Sequence, residues 1–291
     1  MRLRCGLASA LSAALAASLA GCSLLFGPSD DVWRGETSAE VDAAPVIAET
    51  DGGVDASTDG PSGNSAPPFT CPADALLCDD FERDDVLGSF ERMGGNVTIT
   101  TAQAHSGTRS LSAVLKRDVE SPFLEKNLRP PPRITLSLWF YAASAPTPDY
   151  TIRLAHLLWG RACDWDFTWQ LSLTRGGLRA DVGTYDDDTN PGCGPVDFDS
   201  VTVLDAAATF VPKWHHVVVT NDVSVRPRRA TIQVDDGPVS VLEMTSRRTR
   251  SPSSLGVAVG APCVQTTGGC FGWDHADYGV FIDDVSIVPT P

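Results

Sequence analysis

A short apolar period of two, returning many times and cut each time by Gly, Pro or Asp, constrains this chain more than any other feature. Ile134, Leu136, Leu138 and Phe140 would point one way along an extended strand, and Thr135, Ser137, Trp139 and Tyr141 the other. Trp214, His216 and Val218 oppose His215, Val217 and Val219 in the same manner. Ala230, Ile232 and Val234 alternate with Thr231, Gln233 and Asp235, and the turn Asp236-Gly237 leads on to Val239–Leu242. Further segments of this kind are 97–101, 110–115, 152–158, 167–173, 178–183, 201–204, 255–259 and 280–288. No window carries a long helical stripe. About a dozen short strands at this spacing predict an all-β, antiparallel, two-sheet sandwich.

The N-terminus has a different character. Arg2 and Arg4 precede an Ala-rich apolar run from Leu7 to Ala20, too short for a comfortable membrane span. It reads as an export signal. The closing stretch Leu19-Ala20-Gly21-Cys22 resembles the lipobox of bacterial lipoproteins: a branched apolar residue, two small ones, then Cys. That resemblance implies cleavage before Cys22 and acylation of its sulfur and amine, hence a lipid-bilayer anchor, since two or more chains hold a protein stably where one is marginal. Ser23 after the cysteine implies the outer membrane. The plain secretory signal, with Cys22 merely near the cleavage site, is the competing reading.

Residues 23–70 carry nine acids against the single Arg34, among Ala, Ser, Gly and Pro, with almost no periodic pattern. They are expected to be a disordered acidic spacer, spanning about 40 Å as a flexible coil. The chain thus divides into a signal and lipobox at 1–22, the linker at 23–70 and one β-domain at 71–291. Across the whole chain 22 Lys+Arg face 37 Asp+Glu, a net charge of −15, which excludes a nucleic-acid binder because nothing would neutralise a phosphate backbone.

Six cysteines remain in the domain: Cys71, Cys78, Cys163, Cys193, Cys263 and Cys270. An even number in an exported domain suggests three disulfides, of which Cys71–Cys78, Cys163–Cys193 and Cys263–Cys270 are the favoured set. Spacing alone leaves other pairings open. Zinc is the alternative, disfavoured by the lack of close ligand spacing and by an oxidising compartment.

Several segments, in order, resemble laminin-G-like, concanavalin A-like jelly rolls. Cys78-Asp79-Asp80-Phe81-Glu82 is similar to their opening strand, and His105-Ser106-Gly107-Thr108-Arg109-Ser110-Leu111 to a turn-and-strand motif. Ile134–Tyr141, Lys213-Trp214-His215-His216-Val217 and Phe281-Ile282-Asp283-Asp284-Val285 complete the set. The resemblance implies that the first and last strands lie side by side, with a structural calcium where they meet. Glu82 and Asp283 are the ligand candidates for it, with Asp80 and Asp284 beside them. Asp283 falls in phase with Val285 and Ile287, so it must find either a cation or several N–H donors.

Catalytic signals are sparse. There is no metalloprotease helix motif, P-loop, dinucleotide fingerprint or nucleophile elbow. The Glu-x-Asp-x-x-Glu strand of laminarinase-like hydrolases on this fold is absent, Asp197-Phe198-Asp199 being the nearest pair. His215 and His216 read as structural. Trp165, Trp169, Tyr185 and Asp187 near the middle cysteines, with Trp273 and Tyr278 near the last pair, compose a set suited to sugar rings: aromatic planes for C–H faces, carboxylates for hydroxyls. The expected function is non-catalytic binding of a polysaccharide or glycosylated surface. A structural or protein-interaction (adhesion) module is the alternative, and a hydrolase or lyase with an unfamiliar site the third reading.

Overall fold

In the computed structural model, residues 68–116, 121–146, 150–161, 164–184, 197–245, 254–266, 269–271 and 277–291 are described. The signal, the lipobox at Cys22 and nearly all of the spacer lie outside them. In chain order the strands are β1 (Leu77–Asp79), β2 (Arg92–Gly94), β3 (Asn96–Thr100), β4 (Ser110–Leu115), β5 (Phe123–Leu128), β6 (Arg133–Tyr141), β7 (Thr151–Arg161) and β8 (Asp164–Thr174). They continue as β9 (Gly177–Thr184), β10 (Asp197–Asp205), β11 (His215–Asp222), β12 (Arg228–Val234), β13 (Ser240–Met244), β14 (Leu255–Thr266), β15 (Gly269–Phe271) and β16 (Tyr278–Pro289). The only helix among the described residues is the single turn α1 (Ala206–Thr209), capped by Asp205, so none is long enough to cross a membrane.

The strands form two antiparallel sheets. The first runs β13-β12-β11-β6-β16-β4-β3, with β1 also on β16; the second runs β10-β9-β8-β7-β14-β5-β2, with β15 on β14. The first and last strands are neighbours, as expected, with Leu77 opposite Ile287 and Asp79 opposite Val285. Between the sheets lies one apolar core. Ile134, Leu136, Leu138 and Phe140 of β6 are fully buried and face Phe167, Trp169, Leu171 and Leu173 of β8 in the other layer. Each such side chain contributes roughly 1.5–3 kcal/mol by leaving water, and that gain fixes which face of every strand turns inward.

Strand β5 has no alternation legible in the sequence, because Leu124 faces the core while Lys126 two residues on reaches the Ser89 carbonyl at 2.6 Å. The disulfide Cys71–Cys78 forms and ties the start of the domain to β1. Cys163 and Cys193 lie outside the described residues, as do the side chains of Cys263 and Cys270 on β14 and β15.

Candidate functional site

The motifs behind the family resemblance converge at one place on the outer face of the first sheet. Strand β16 carries a bulge between Asp283 and Ser286, with Asp284 in the left-handed region at φ 48°. The extra residue reverses the phase of the strand. Ile282 pairs with Phe140 and Ile287 with Leu136, both inward, so Asp283 lands opposite Trp139 on the outer face. The alternation that put Asp283 with Val285 and Ile287 is therefore corrected: those two face the core, and Asp283 faces away from it.

Asp283 is nevertheless fully buried, because the 105–109 turn lies over it. Its Oδ2 accepts from the backbone N–H groups of His105 (2.9 Å) and Ser106 (3.3 Å), and its Oδ1 from that of Asp284 (2.9 Å). Burial and the neighbouring Asp284 charge push its pKa up to about 8, against the pull of these donors. Asp284 in turn holds His105 Nδ1 at 2.6 Å and accepts the Ser106 hydroxyl at 2.7 Å. The His105 ring stacks on Trp139, 3.5 Å between centroids, and Trp139 stacks on His216 at 4.6 Å. Glu82 closes the far end of the same turn, accepting from Thr108 N, Thr108 Oγ1 and Arg109 N at 2.6–2.9 Å. These N–H and O–H bonds hold its pKa low against the slight desolvation of an exposed group.

The calcium expected at Glu82 and Asp283 does not fit this arrangement. Both carboxylates are engaged by protein donors, and the described residues contain no group of three His, Cys, Asp or Glu able to hold a metal. The junction is a latch that fastens a turn to a sheet. His215 is structural as well: it is buried, with Nδ1 2.7 Å from Asp235 and Nε2 3.1 Å from the Thr209 carbonyl.

Of the aromatic set expected to meet sugar, Trp169 and Tyr278 are corrected. Trp169 has no exposed surface and stands in the core row of β8. Tyr278 is 8% exposed, and its hydroxyl donates to the Ser144 carbonyl at 2.7 Å. Tyr185, Asp187 and Trp273 lie outside the described residues, as does the Trp165 side chain.

The second sheet supplies what sequence reasoning missed. On its face turned away from the core, Ala258 of β14 pairs with Glu125 on one side and His156 on the other. His156 pairs with Gln170, Gln170 with Asp181, and Asp181 with Ser200. This unbroken cross-strand row of side chains comes from six strands. The adjoining row pairs Arg153 with Ser172, Ser172 with Arg179 and Arg179 with Thr202. A bulge between Arg153 and Ala155 lets Arg153 and His156 share a face although they are three positions apart. Between β7 and β5 runs β14, whose outward positions Gly256 and Ala258 carry little or no side chain, so its backbone lies low there as a short trough.

Thr168, Gln170, Ser172 and Asp181 are buried even though they face away from the core, as the floor of a recess would be. His156 Nε2 lies 2.8 Å from the Thr168 hydroxyl, which gives its own hydrogen to the Leu157 carbonyl. The pair ties the imidazole of β7 to the hydroxyl of β8. Burial, with the Arg153 charge beside it, holds the His156 pKa well below the ordinary imidazole value, so the ring is neutral at physiological pH. Burial raises the Asp181 pKa, while Arg179, at 3.0 Å, pulls it back. The sequence signal for these residues was present: each is the polar, off-phase member of an apolar strand. What was missing was the register that lines them up.

With two antiparallel layers and this connectivity, the chain is a jelly-roll sandwich of the concanavalin-like class. No protein-family model matches its sequence, and no curated protein matches it. Among solved structures it resembles an endo-β-1,4-glucuronan lyase from the fungus Trichoderma reesei: TM-score 0.50, 15% identity, covering 71% of this chain and 94% of that one. It also resembles an alginate lyase from a Chlorella virus: TM-score 0.50, 10% identity, 74% and 100% coverage. The binding domain of a botulinum neurotoxin of serotype D/C matches with TM-score 0.51 and 9% identity over 75% of this chain, which spans about half, 49%, of that one. At these identities the likeness is one of fold.

Proposed function

We propose that this chain is a lipid-anchored envelope protein whose β-sandwich binds a polysaccharide, without turnover, in the recess on the second sheet. One observation carries the binding reading. The row Glu125–His156–Gln170–Asp181–Ser200, flanked by Thr168 and Ser172, presents donors and acceptors across six strands and crosses the low β14 backbone at Ala258. An extended polymer with many hydroxyls matches a groove with many spaced hydrogen-bonding groups. The structural relatives named for glucuronan and alginate support a saccharide as the occupant.

The test fills the trough. A Cβ on Gly256 would meet nothing closer than Leu158 Cβ at 3.8 Å and Asn127 Oδ1 at 3.9 Å, ordinary contact distances. Gly256→Phe is therefore expected to fold with little change in melting temperature and to lose at least about tenfold in affinity for any polymer the wild type retards in affinity electrophoresis. Undiminished retardation would place the site elsewhere.

A second reading rests on His156, a neutral imidazole bonded to the Thr168 hydroxyl beside the Arg153 cation. Such a group suits a general base in an elimination, and two structural relatives are lyases. Ultraviolet absorbance of an unsaturated product, growing with time on a bound polymer, would establish turnover, whereas a flat trace with retained binding favours the module.

Anchoring rests on the lipobox-like stretch ending in Cys22. Cys22→Ala is expected to move the protein from the membrane fraction to the soluble fraction of the envelope, read by fractionation and immunoblot. An unchanged membrane fraction overturns the anchor.

A further inference from the structure

We infer that the recess on the second sheet recognises an acidic sugar, with the ligand's carboxylate seated on the Arg153 guanidinium. This rests on the polysaccharide-binding reading of the same recess and narrows its ligand. Arg153 stands on β7 at the outward face, held there by the bulge before Ala155. Its Nε is buried and meets no acceptor among the described residues. The acid whose charge acts on it is Asp181, but that carboxylate is bonded through both oxygens to Arg179 Nε, at 3.0 and 3.2 Å. Burial lowers Arg153 only to about 10, so it stays cationic at neutral pH. A buried cation with an unanswered donor is costly unless an anion reaches it.

The geometry of the guanidinium selects the anion. It is planar and presents a fork of donors that matches a carboxylate in two parallel bonds. Around it stand groups that suit the rest of a sugar acid. Ser172 is opposite on β8, Gln170 and Thr168 follow along that strand, and the neutral His156 ring stands on the same face. On β14 the position opposite Arg153 is Cys263, and farther along that strand Ala258 and Gly256, opposite His156 and Leu158, add almost no bulk. The chain as a whole carries −15, so its overall field repels an acidic polymer and any preference for one must arise locally.

The experiment compares each of three acidic polymers, polyglucuronate, alginate and polygalacturonate, with its own carboxyl-reduced form, in which only the charged group becomes a hydroxymethyl. Neutral β-glucan, xylan and mannan, and dextran sulfate beside dextran, complete the set. Affinity electrophoresis and titration calorimetry on the full-length protein are expected to show at least one acidic polymer bound about tenfold or more tightly than its reduced form, the scale of a charge-assisted pair. Arg153→Met is expected to abolish that difference, and Arg153→Lys, which keeps the charge but loses the fork, to retain part of it. Melting curves check that each variant folds, and if Arg153→Met does not, the polymer pairs and Arg153→Lys still decide.

Equal binding of acid and reduced forms overturns the carboxylate but leaves the recess a polysaccharide site. Retention by neutral polymers alone does the same. Dextran sulfate bound more tightly than every carboxylate polymer overturns it in favour of a sulfated ligand. No retention by any polymer removes the binding reading itself and this inference with it.

Discussion

Replacing Trp169 by alanine is expected to remove about 3–5 kcal/mol of stability, the range for truncating a buried tryptophan. The ring has no exposed surface and shares the inter-sheet layer with Phe167, Leu171 and Leu173 of its own strand and with the apolar face of β6. Truncation would leave a void the two sheets cannot close, since every strand is tied to its neighbours. Urea unfolding followed by intrinsic fluorescence would read the midpoint shift. Trp169→Phe refills much of the space and is expected to cost less. Affinity for polysaccharide, measured under conditions where each variant is folded, is expected to stay within about twofold of wild type, because no atom of the ring reaches the outer face. A stable Trp169→Ala protein that has lost binding would return this residue to the ligand site.

Asp283→Ala is the second large effect. It would strip acceptors from three backbone N–H groups, of His105, Ser106 and Asp284, under a turn that water does not reach. At about 1–3 kcal/mol for each buried donor left unpaired, the loss is expected to be at least about 3 kcal/mol. The latch would open with it, since His105 also leans on Trp139 and Asp284. Asp283→Asn keeps one oxygen and is expected to cost less. The two proteins should also differ with pH in a defined direction. The folded-state pKa of Asp283 is raised from 3.8 to about 8, so the folded protein holds this proton where the unfolded chain releases it. The stability of the neutral form is fully present below 3.8 and lost as the pH rises through about 8. The wild-type margin over Asp283→Asn should shrink across that window. Melting with and without a chelator is expected to give the same loss for Asp283→Ala, because three backbone N–H groups already answer this side chain. A chelator-dependent loss would restore the calcium.

The two halves of this domain were not equally legible in its sequence. Where apolar alternation runs unbroken, as on β6, the inward and outward faces follow from a period of two, and the layer architecture follows from burying those faces. The resemblance motifs also marked the right region: the opening strand, the 105–109 turn and the end of the chain meet at one latch. Alternation even carried the fate of Trp169, which is in step with Phe167, Leu171 and Leu173 and for that reason belongs to the core.

The sequence by itself thus determined an all-β, two-layer chain, because side-chain direction along a strand depends only on local geometry. Tertiary structure alone decided the rest. A one-residue bulge at Asp284 turned Asp283 to the opposite face, and another beside Arg153 brought that guanidinium onto the face of His156. The polar row exists only because six strands, far apart in the chain, stop at registers that align Glu125, His156, Gln170, Asp181 and Ser200. Register is set by how two apolar faces interlock across the core, and no stretch of sequence contains that fit.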